Sequence, residues 1–213
     1  MTGSGPALPP DYELIRPISQ RPNSWVLLVR DSQYRPCCLK LNYSTDPAEL
    51  QEQITLRNAL MRVSQETPGL LPMLDWGANT NTGILWEKFP LADDVTGTMP
   101  EDPAAYRPMT LAEWCRQNPE PPTQTVILWG IRLTSALTAL HDEGLLHLDI
   151  KPSNILFLDG LPTLGDYGSV SKSAQPHRHM GSDGYYPPDK HGSHALDVFA
   201  LGRTLYEVWS GFE

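Results

Sequence analysis

Hydrophobic and polar residues alternate over short runs in residues 12–90, a period that is typical of strands. Five runs have this character: residues 12–18, 25–30, 37–43, 70–76 and 84–89. A helix signal follows the third run, because Asp46 is a suitable N-cap and Pro47 occupies the first helical position. The apolar residues after it recur at roughly helical spacing, at Leu50, Ile54, Leu56 and Leu60. This part of the chain is therefore predicted to form a small sheet that carries one helix.

The pattern changes to that of helices in the second half of the chain. Helices are predicted to start at Thr110 and to cover 123–142 and 195–209, and Gly144 lies just beyond the end of the long one. Residues 91–109 and 166–189 show no periodicity and are predicted to be loops. The expected organisation is a disordered lead-in (1–11), a β-rich lobe (12–90), a loop insert (91–109) and an α-rich lobe (110–213).

Composition narrows the class of protein. The chain has 213 residues, a hydrophobic fraction of 40% and a net charge of −9, which argues against a general binder of nucleic acid or anionic membranes. Cys37 and Cys38 are neighbours that would point to opposite faces of a strand, so a disulfide between them is not expected. Reduced thiols, together with the absence of a signal peptide or a membrane-length apolar run, lead us to expect a cytoplasmic protein.

The run His-Leu-Asp-Ile-Lys-Pro-Ser-Asn, residues 147–154, carries groups that suit phosphoryl transfer. Asp149 is the candidate acceptor of a hydroxyl proton, Lys151 can neutralise a moving phosphoryl group, and Asn154 can coordinate magnesium through its amide oxygen. Twelve residues later, Asp166 is followed by an aromatic residue and Gly168, and its carboxylate would bind magnesium that bridges nucleotide phosphates. Each match alone is weak, but the combination at this spacing points to a phosphoryl-transfer site.

With these motifs in order, residues 12–211 resemble the protein kinase family, and their general pattern resembles bacterial members. Residues 181–189 are similar to the family's GTxGYxAPE stretch, and residues 196–202 are similar to its DVWSLG segment. Small-molecule kinases lack that stretch and lack a lysine at the position of Lys151. The resemblance implies an α+β, two-lobed protein-kinase-like fold, whose helical lobe would lack the last helices, and it implies ATP, Mg²⁺ and a protein substrate or partner.

The resemblance also identifies Lys40 as the strand lysine that holds the nucleotide phosphates. Such a lysine is paired with a helix glutamate, for which Glu49 and Glu52 are both candidates. We favour Glu52, because the residue four positions after the glutamate should be apolar and is Leu56 for Glu52. The implied stack between the lobes is Leu56, Leu74, Tyr167 and His147, resting on Asp197.

The family's glycine-rich loop corresponds to residues 19–26, which contain no glycine. Ser19, Arg21 and Ser24 could donate side-chain hydrogen bonds to phosphate in its place, or the segment could be a plain hairpin. The resemblance places further nucleotide contacts at Val26, Cys38, Glu87, Phe89 and Leu156. It places Trp86 at the gatekeeper position, where a large ring would close the rear of the pocket.

Regulation by phosphorylation is not expected in its usual form, because Leu148 replaces the arginine that in many kinases binds a phosphate on the activation loop. Turnover should therefore not depend on phosphorylation of Ser169, Ser171, Ser173 or Ser182. Ser182 is a special case, since the family uses a hydroxyl there to brace the catalytic aspartate.

Two functions follow as alternatives. The first is ATP-dependent phosphoryl transfer to Ser or Thr of a protein; the second is a pseudokinase that serves as a binding or scaffold module, with a weaker third possibility of transferring another ATP-derived group. The last helix is expected to expose Val198, Leu201, Leu205 and Val208. Three explanations of the missing last helices and of this apolar face are left open. The chain is a fragment of a longer protein, it is a compact kinase, or a partner covers the helix.

Overall fold

The computed structural model describes residues 6–172, 182–185 and 193–211. Its first part is an antiparallel sheet of five strands with the order β1-β2-β3-β5-β4. The strands are β1 (Glu13–Arg21), β2 (Ser24–Arg30), β3 (Pro36–Tyr43), β4 (Asp75–Asn79) and β5 (Ile84–Phe89). Four of the five predicted strands are confirmed in place. The fourth begins five residues later than predicted, because Leu70, Leu71 and Met73 are all buried in the core instead of alternating between two faces.

The two faces of this sheet have different neighbours, and this difference positions the site. Leu27, Val29, Leu39 and Leu41 form an outer cluster, against which Trp25 and Trp86 pack. Cys38 and Phe89 belong to the opposite face and pack into the main core. Because strand side chains alternate, Lys40 and Glu87 share that inner face.

One helix, α1 (Pro47–Glu66), covers the inner face, as predicted. Its N-cap is Asp46, whose carboxylate accepts a hydrogen bond of 2.9 Å from the Ala48 N–H. Leu56, Leu60 and Val63 are buried in the main core, so α1 links the sheet to the rest of the molecule.

In the described residues of the second part there are three α-helices: α2 (Leu111–Gln117), α3 (Thr123–Asp142) and α4 (His194–Ser210). All three confirm the predicted helices, and Thr110 caps α2 by accepting a hydrogen bond from the Glu113 N–H. Gly144 has φ +68°, which suits the left-handed residue that commonly follows a helix end. Four short strands complete this part: β6 (Leu145–Leu146), β7 (Ile155–Leu158), β8 (Leu161–Leu164) and β9 (Ser171–Lys172). They pair as β6–β9 and β7–β8.

Residues 91–109, the insert, are more ordered than their aperiodic sequence predicts. The Asp94 carboxylate accepts hydrogen bonds from the N–H groups of Thr96 and Arg107, which closes the segment on itself. The Arg16 guanidinium of β1 donates to the carbonyl oxygens of Ala104, at 2.8 Å, and of Tyr106. Such carboxylate-capped turns leave no periodic signal in a sequence, which is why the pattern predicted only a loop.

The exposed face of α4 differs from the prediction. Val198 is exposed as expected, but Leu201 and Val208 are buried in the main core and Leu205 packs against it. Phe199, Tyr206 and Trp209 are the other large apolar residues exposed on this helix. Within the described ranges, no helix combines the length and apolar character that crossing a membrane requires.

Candidate active site

A cleft between the sheet and the second part of the chain holds the predicted phosphoryl-transfer residues. It consists of two adjoining cavities of about 400 and 280 Å³, and Arg21, Ser24, Lys40 and Asp166 line both. The larger cavity reaches Asp149, and the smaller one has a more apolar lining and reaches Asn154.

Asp149 is held by three side chains around it. Lys151 Nζ lies 2.9 Å from its Oδ2, and the Ser182 hydroxyl donates a hydrogen bond of 2.9 Å to its Oδ1. The Asn154 amide nitrogen donates to the Asp149 carbonyl and to its carboxylate, at 2.8 Å each. The amide oxygen of Asn154 is thereby left for another ligand. Of the predicted stretch 181–189, only residues 182–185 lie within the described part of the chain.

The loop that carries Asp149 is fixed by Asp197 of α4. The fully buried Asp197 carboxylate accepts hydrogen bonds of 2.8 Å from the backbone N–H groups of both His147 and Leu148. Leu148 has φ +63°, a left-handed conformation that is unfavourable for leucine and that these hydrogen bonds help to maintain. The His147 ring also lies 2.8 Å, through Nε2, from the Gly165 carbonyl oxygen. Asp197 thus ties α4 to the backbone of the loop that carries Asp149.

Lys40 and Asp166 form an ion pair across the cleft. Burial acts to raise the pKa of Asp166, but the charge and the hydrogen bond of Lys40 outweigh it and lower that pKa to about 2. The Asp166 backbone is left-handed, with φ 55°, which turns the chain sharply at the start of the Asp-Tyr-Gly sequence. The structure therefore brings together the lysine and the carboxylate that the sequence placed 126 positions apart.

The predicted pair between Lys40 and Glu52 is not formed, and this expectation is corrected. The α1 residues that line the larger cavity are Glu49, Leu50, Gln53 and Arg57. Successive helix residues are rotated by about 100°, so Glu52 lies on the neighbouring face of α1 and does not line the cavity. The Glu49 side chain faces the cavity but accepts a hydrogen bond of 2.7 Å from Ser44.

Two residues of β5 also differ from their predicted roles. Trp86 lies on the outer face of the sheet, where its ring packs edge-on against Tyr12 at 5.7 Å, so it does not close the rear of the pocket. Glu87 is fully buried and pairs with Arg57 of α1, with 2.7 Å between Nε and Oε1, so it is not a contact of the smaller cavity. Phe89 does line that cavity, and its ring lies 6.0 Å from that of Tyr167.

The β1–β2 hairpin covers the cleft even though it lacks glycine. Arg21 pairs with Ser24 in the sheet register, which leaves a two-residue turn, and both side chains line the cleft. Ser19 and Val26 line the smaller cavity from the same hairpin. Cys38 of β3 and Leu156 of β7 line the same cavity.

Of the four residues predicted to stack between the lobes, Leu56, Tyr167 and His147 are buried and Leu74 is not. Leu56 and Tyr167 are buried in the main core, and the rings of Tyr167 and His147 lie 6.1 Å apart in an edge-to-face arrangement. Leu74 is 43% exposed and does not belong to the stack, because it follows the buried Met73 and points outward.

Several residues of the cleft were not found from the sequence. Ile18, Leu71, Pro108 and Thr110 line the smaller cavity, and Arg57 lines the larger one. No recognised motif residue lies on the same strand face as Ile18, and Pro108 belongs to the aperiodic insert. Neither residue was therefore marked by a sequence signal. Arg57 lies in a helix with an ordinary amphipathic pattern, and nothing in that pattern distinguishes it as a residue of the cleft.

A sheet lobe that carries one helix faces a helical lobe across a cleft that holds this lysine, amide and carboxylate set, and this is the arrangement of a kinase-like fold. In agreement, the protein kinase domain family matches residues 105–213, just over half of the chain. The chain therefore belongs to the protein kinase family.

Curated relatives agree with this assignment. The chain is 25% identical to a probable serine/threonine-protein kinase of Clostridium perfringens, over 94% of this chain and 29% of the relative. It is 27% identical to a DNA damage-responsive serine/threonine-protein kinase of Deinococcus radiodurans, over 94% of this chain and 30% of the relative. Eukaryotic translation initiation factor 2-alpha kinase 3 of Bos taurus is 35% identical over 37% of this chain and 9% of its own length. The chain spans less than a third of the length of these relatives.

Proposed function

We propose that this chain is a catalytic kinase domain that transfers the terminal phosphoryl group of ATP to a Ser or Thr hydroxyl of a protein. The observation that carries this proposal is the convergence of Lys40, Asp149, Lys151, Asn154 and Asp166 around one cleft. In this proposal, residues 12–90 form the nucleotide-binding lobe, residues 110–213 the catalytic lobe, and residues 91–109 an insert between them.

The residues at the end of the cleft fit Mg²⁺ and a nucleotide. Magnesium prefers hard oxygen ligands, and the Asn154 amide oxygen with the Asp166 carboxylate supplies two of them. When bound, the ion would neutralise charge on the phosphate oxygens. Lys40 would contact the α- and β-phosphates when its ammonium is shared between them and Asp166. The apolar cavity lined by Val26, Phe89 and Leu156 suits an adenine ring.

The chain's own groups would act mainly by positioning and by charge. Asp149 would accept the proton of the attacking hydroxyl, and its carboxylate is oriented by Asn154 and Ser182. Lys151, which contacts both Asp149 and Ser182, would stabilise negative charge on the phosphoryl group in flight. The lysine two positions after the catalytic aspartate supports Ser/Thr substrates, as the bacterial relatives' names also do.

A thermal-shift titration followed by phosphate transfer tests the proposal. Saturation with ATP and Mg²⁺ at about 100 times Kd should stabilise the domain by about 2.7 kcal/mol, which raises Tm by roughly 5–10 °C. Transfer of labelled phosphate to a Ser/Thr protein substrate should occur with the unaltered chain. Asp149→Ala should abolish transfer while the thermal shift persists, and Asp142→Asn, an exposed change at the end of α3, should affect neither.

The second candidate function is a pseudokinase that binds a protein partner without turnover. Two observations favour it. The Lys40 ammonium forms an ion pair directly with the Asp166 carboxylate, and the hairpin over the cleft has no glycine whose backbone could approach a phosphate. A domain stabilised by nucleotide but without transfer, or one that shows no shift with any divalent metal, would favour this function over catalysis.

A further inference from the structure

A buried ion pair lies beside the cleft and takes no part in the proposed transfer. Arg57 of α1 is 1% exposed and Glu87 of β5 is fully buried, and Arg57 Nε lies 2.7 Å from Glu87 Oε1. Asn42 donates a hydrogen bond of 3.1 Å to the other oxygen of Glu87, and Arg57 donates one of 2.9 Å to the Gln53 side chain. Each charge thus has a partner of opposite sign away from solvent, although the Nε–Oε1 contact lacks hydrogen-bond geometry. Such an arrangement is costly unless both partners are present.

The position of Glu87 relative to Lys40 gives this pair a consequence for the cleft. Lys40 and Glu87 are directly opposite each other in the β3–β5 register, on the same inner face of the sheet. Side chains at such positions begin about 5 Å apart, which is within reach of a lysine–glutamate pair. Lys40 therefore has two carboxylates near it, Glu87 beside it and Asp166 across the cleft, and it contacts Asp166.

Charge competition explains this choice. Glu87 is already paired with the Arg57 charge at 2.7 Å and accepts a hydrogen bond from Asn42, so its negative charge is largely compensated before Lys40 can compete for it. If Arg57 lost its charge, Glu87 would be a buried carboxylate with only one neutral donor, and the nearest cation on its own face of the sheet would be Lys40. An unpaired buried carboxylate attracts such a cation strongly, because the alternative is a large loss of solvation.

We propose that Arg57 is a positioning residue: it holds Glu87 in a separate ion pair and so leaves the Lys40 ammonium to Asp166 and to the phosphates of a bound nucleotide. The contact between Lys40 and nucleotide rests on the proposed function. The choice of Lys40 partner does not, because it concerns the protein without any ligand.

Double-mutant cycles on the unliganded protein test the choice of partner. In the unaltered chain, the Tm changes of Lys40→Met and Asp166→Asn should be strongly non-additive, and the coupling between Lys40→Met and Glu87→Gln should be much smaller, although these two positions are neighbours. In an Arg57→Met background, the stronger coupling should instead be the one between Lys40→Met and Glu87→Gln. The inference is overturned if Lys40 stays coupled to Asp166 alone in both backgrounds.

Nucleotide affinity tests the consequence, with adenosine as the probe that contacts no phosphate site. Arg57→Met should weaken binding of Mg²⁺-ATP about ten-fold or more, the usual worth of a charge-assisted contact, while adenosine binding changes less than two-fold. Arg57→Met/Glu87→Gln should restore Mg²⁺-ATP binding, because no carboxylate is left to capture Lys40. Arg57→Lys, which keeps the positive charge, should retain most of the affinity for Mg²⁺-ATP.

If Arg57→Met alone does not fold, the comparison of Glu87→Gln with the double variant decides the matter. Equal Mg²⁺-ATP affinity in these two supports the inference, and a ten-fold loss in the double variant refutes it, since Arg57 would then act by another route. An equal loss of adenosine and Mg²⁺-ATP would indicate a purely structural role and also refute it. Failure of the unaltered chain to bind any nucleotide would contradict the proposed function, and the unliganded cycles would still decide the role of Arg57.

Discussion

The Asp197 carboxylate accepts a hydrogen bond of 2.8 Å from the backbone N–H of Leu148, which lies 49 positions earlier in the chain. This contact joins α4 to the loop that presents the candidate proton acceptor, and it coincides with a left-handed backbone at leucine. The loop geometry is therefore maintained from outside the loop, by a group buried beneath it.

Replacing Asp197 with Asn tests this support. The amide has the same shape, but its NH₂ group cannot accept from the loop N–H groups, so at least one buried donor loses its partner. We expect a loss of about 2–4 kcal/mol in the free energy of unfolding, measured by urea denaturation. Asp142→Asn at the exposed end of α3 is the matched control and should stay within about 0.5 kcal/mol. A neutral result for Asp197→Asn would show that the loop keeps its shape without this carboxylate.

The Lys40–Asp166 pair predicts an acid-dependent loss of stability. Burial raises the pKa of Asp166, whereas Lys40 lowers it to about 2, below the unfolded value near 3.8. A depressed pKa stabilises the folded state above the unfolded pKa, and this contribution disappears as the pH falls from about 4 to about 2. Urea unfolding between pH 2 and 6 should show this decline, of about 2 kcal/mol. Asp166→Asn should remove that part of the pH dependence; an unchanged profile would argue against the pair in solution.

The three thiols should be unreactive in the folded protein. Burial raises the pKa of Cys38 to about 12 and that of Cys115 to about 11, and it also raises the pKa of Cys37. At pH 8 the Cys38 thiolate would be roughly a thousand-fold rarer than in a free cysteine, and alkylation should slow in proportion. Peptide mass spectrometry after timed iodoacetamide treatment measures this rate, with urea-unfolded protein as the reference. Rapid labelling of folded Cys38 would mean that the smaller cavity opens more widely than the structure indicates.

Phosphorylation of the loop serines should not switch the proposed phosphoryl transfer. Leu148 is buried against Leu146 and Leu196, so this position offers a phosphate no cation. The double change Ser169→Ala/Ser171→Ala should leave turnover within two-fold of the unaltered value in a labelled-phosphate assay. The remaining candidate, Ser173, lies outside the described residues. Ser182→Ala should lower turnover about ten-fold, because Ser182 braces Asp149 by a hydrogen bond. Equal losses in both variants would instead favour control by phosphorylation.

The residues of the transfer site that lie close together in sequence could be predicted from spacing alone. Asp149, Lys151 and Asn154 share one loop, so their mutual distances follow from a few backbone angles, and the structure shows them in contact. Four of the five strands of the sheet, and the helices α1, α2, α3 and α4, likewise follow from local periodicity and cap signals.

Partner choice across elements was decided only by the tertiary structure. Sequence spacing placed Glu49 and Glu52 on one helix, but the rotation of α1 against the sheet determines which face lines the cavity. That rotation depends on how α1 residues such as Leu60 and Val63 pack into the main core. Alternation along β5 likewise predicts two faces without saying which one faces the cleft, so neither Trp86 nor Glu87 has the environment that was expected of it. Local backbone preferences act over a few residues, whereas burial and ion pairing select among the faces that those preferences leave open.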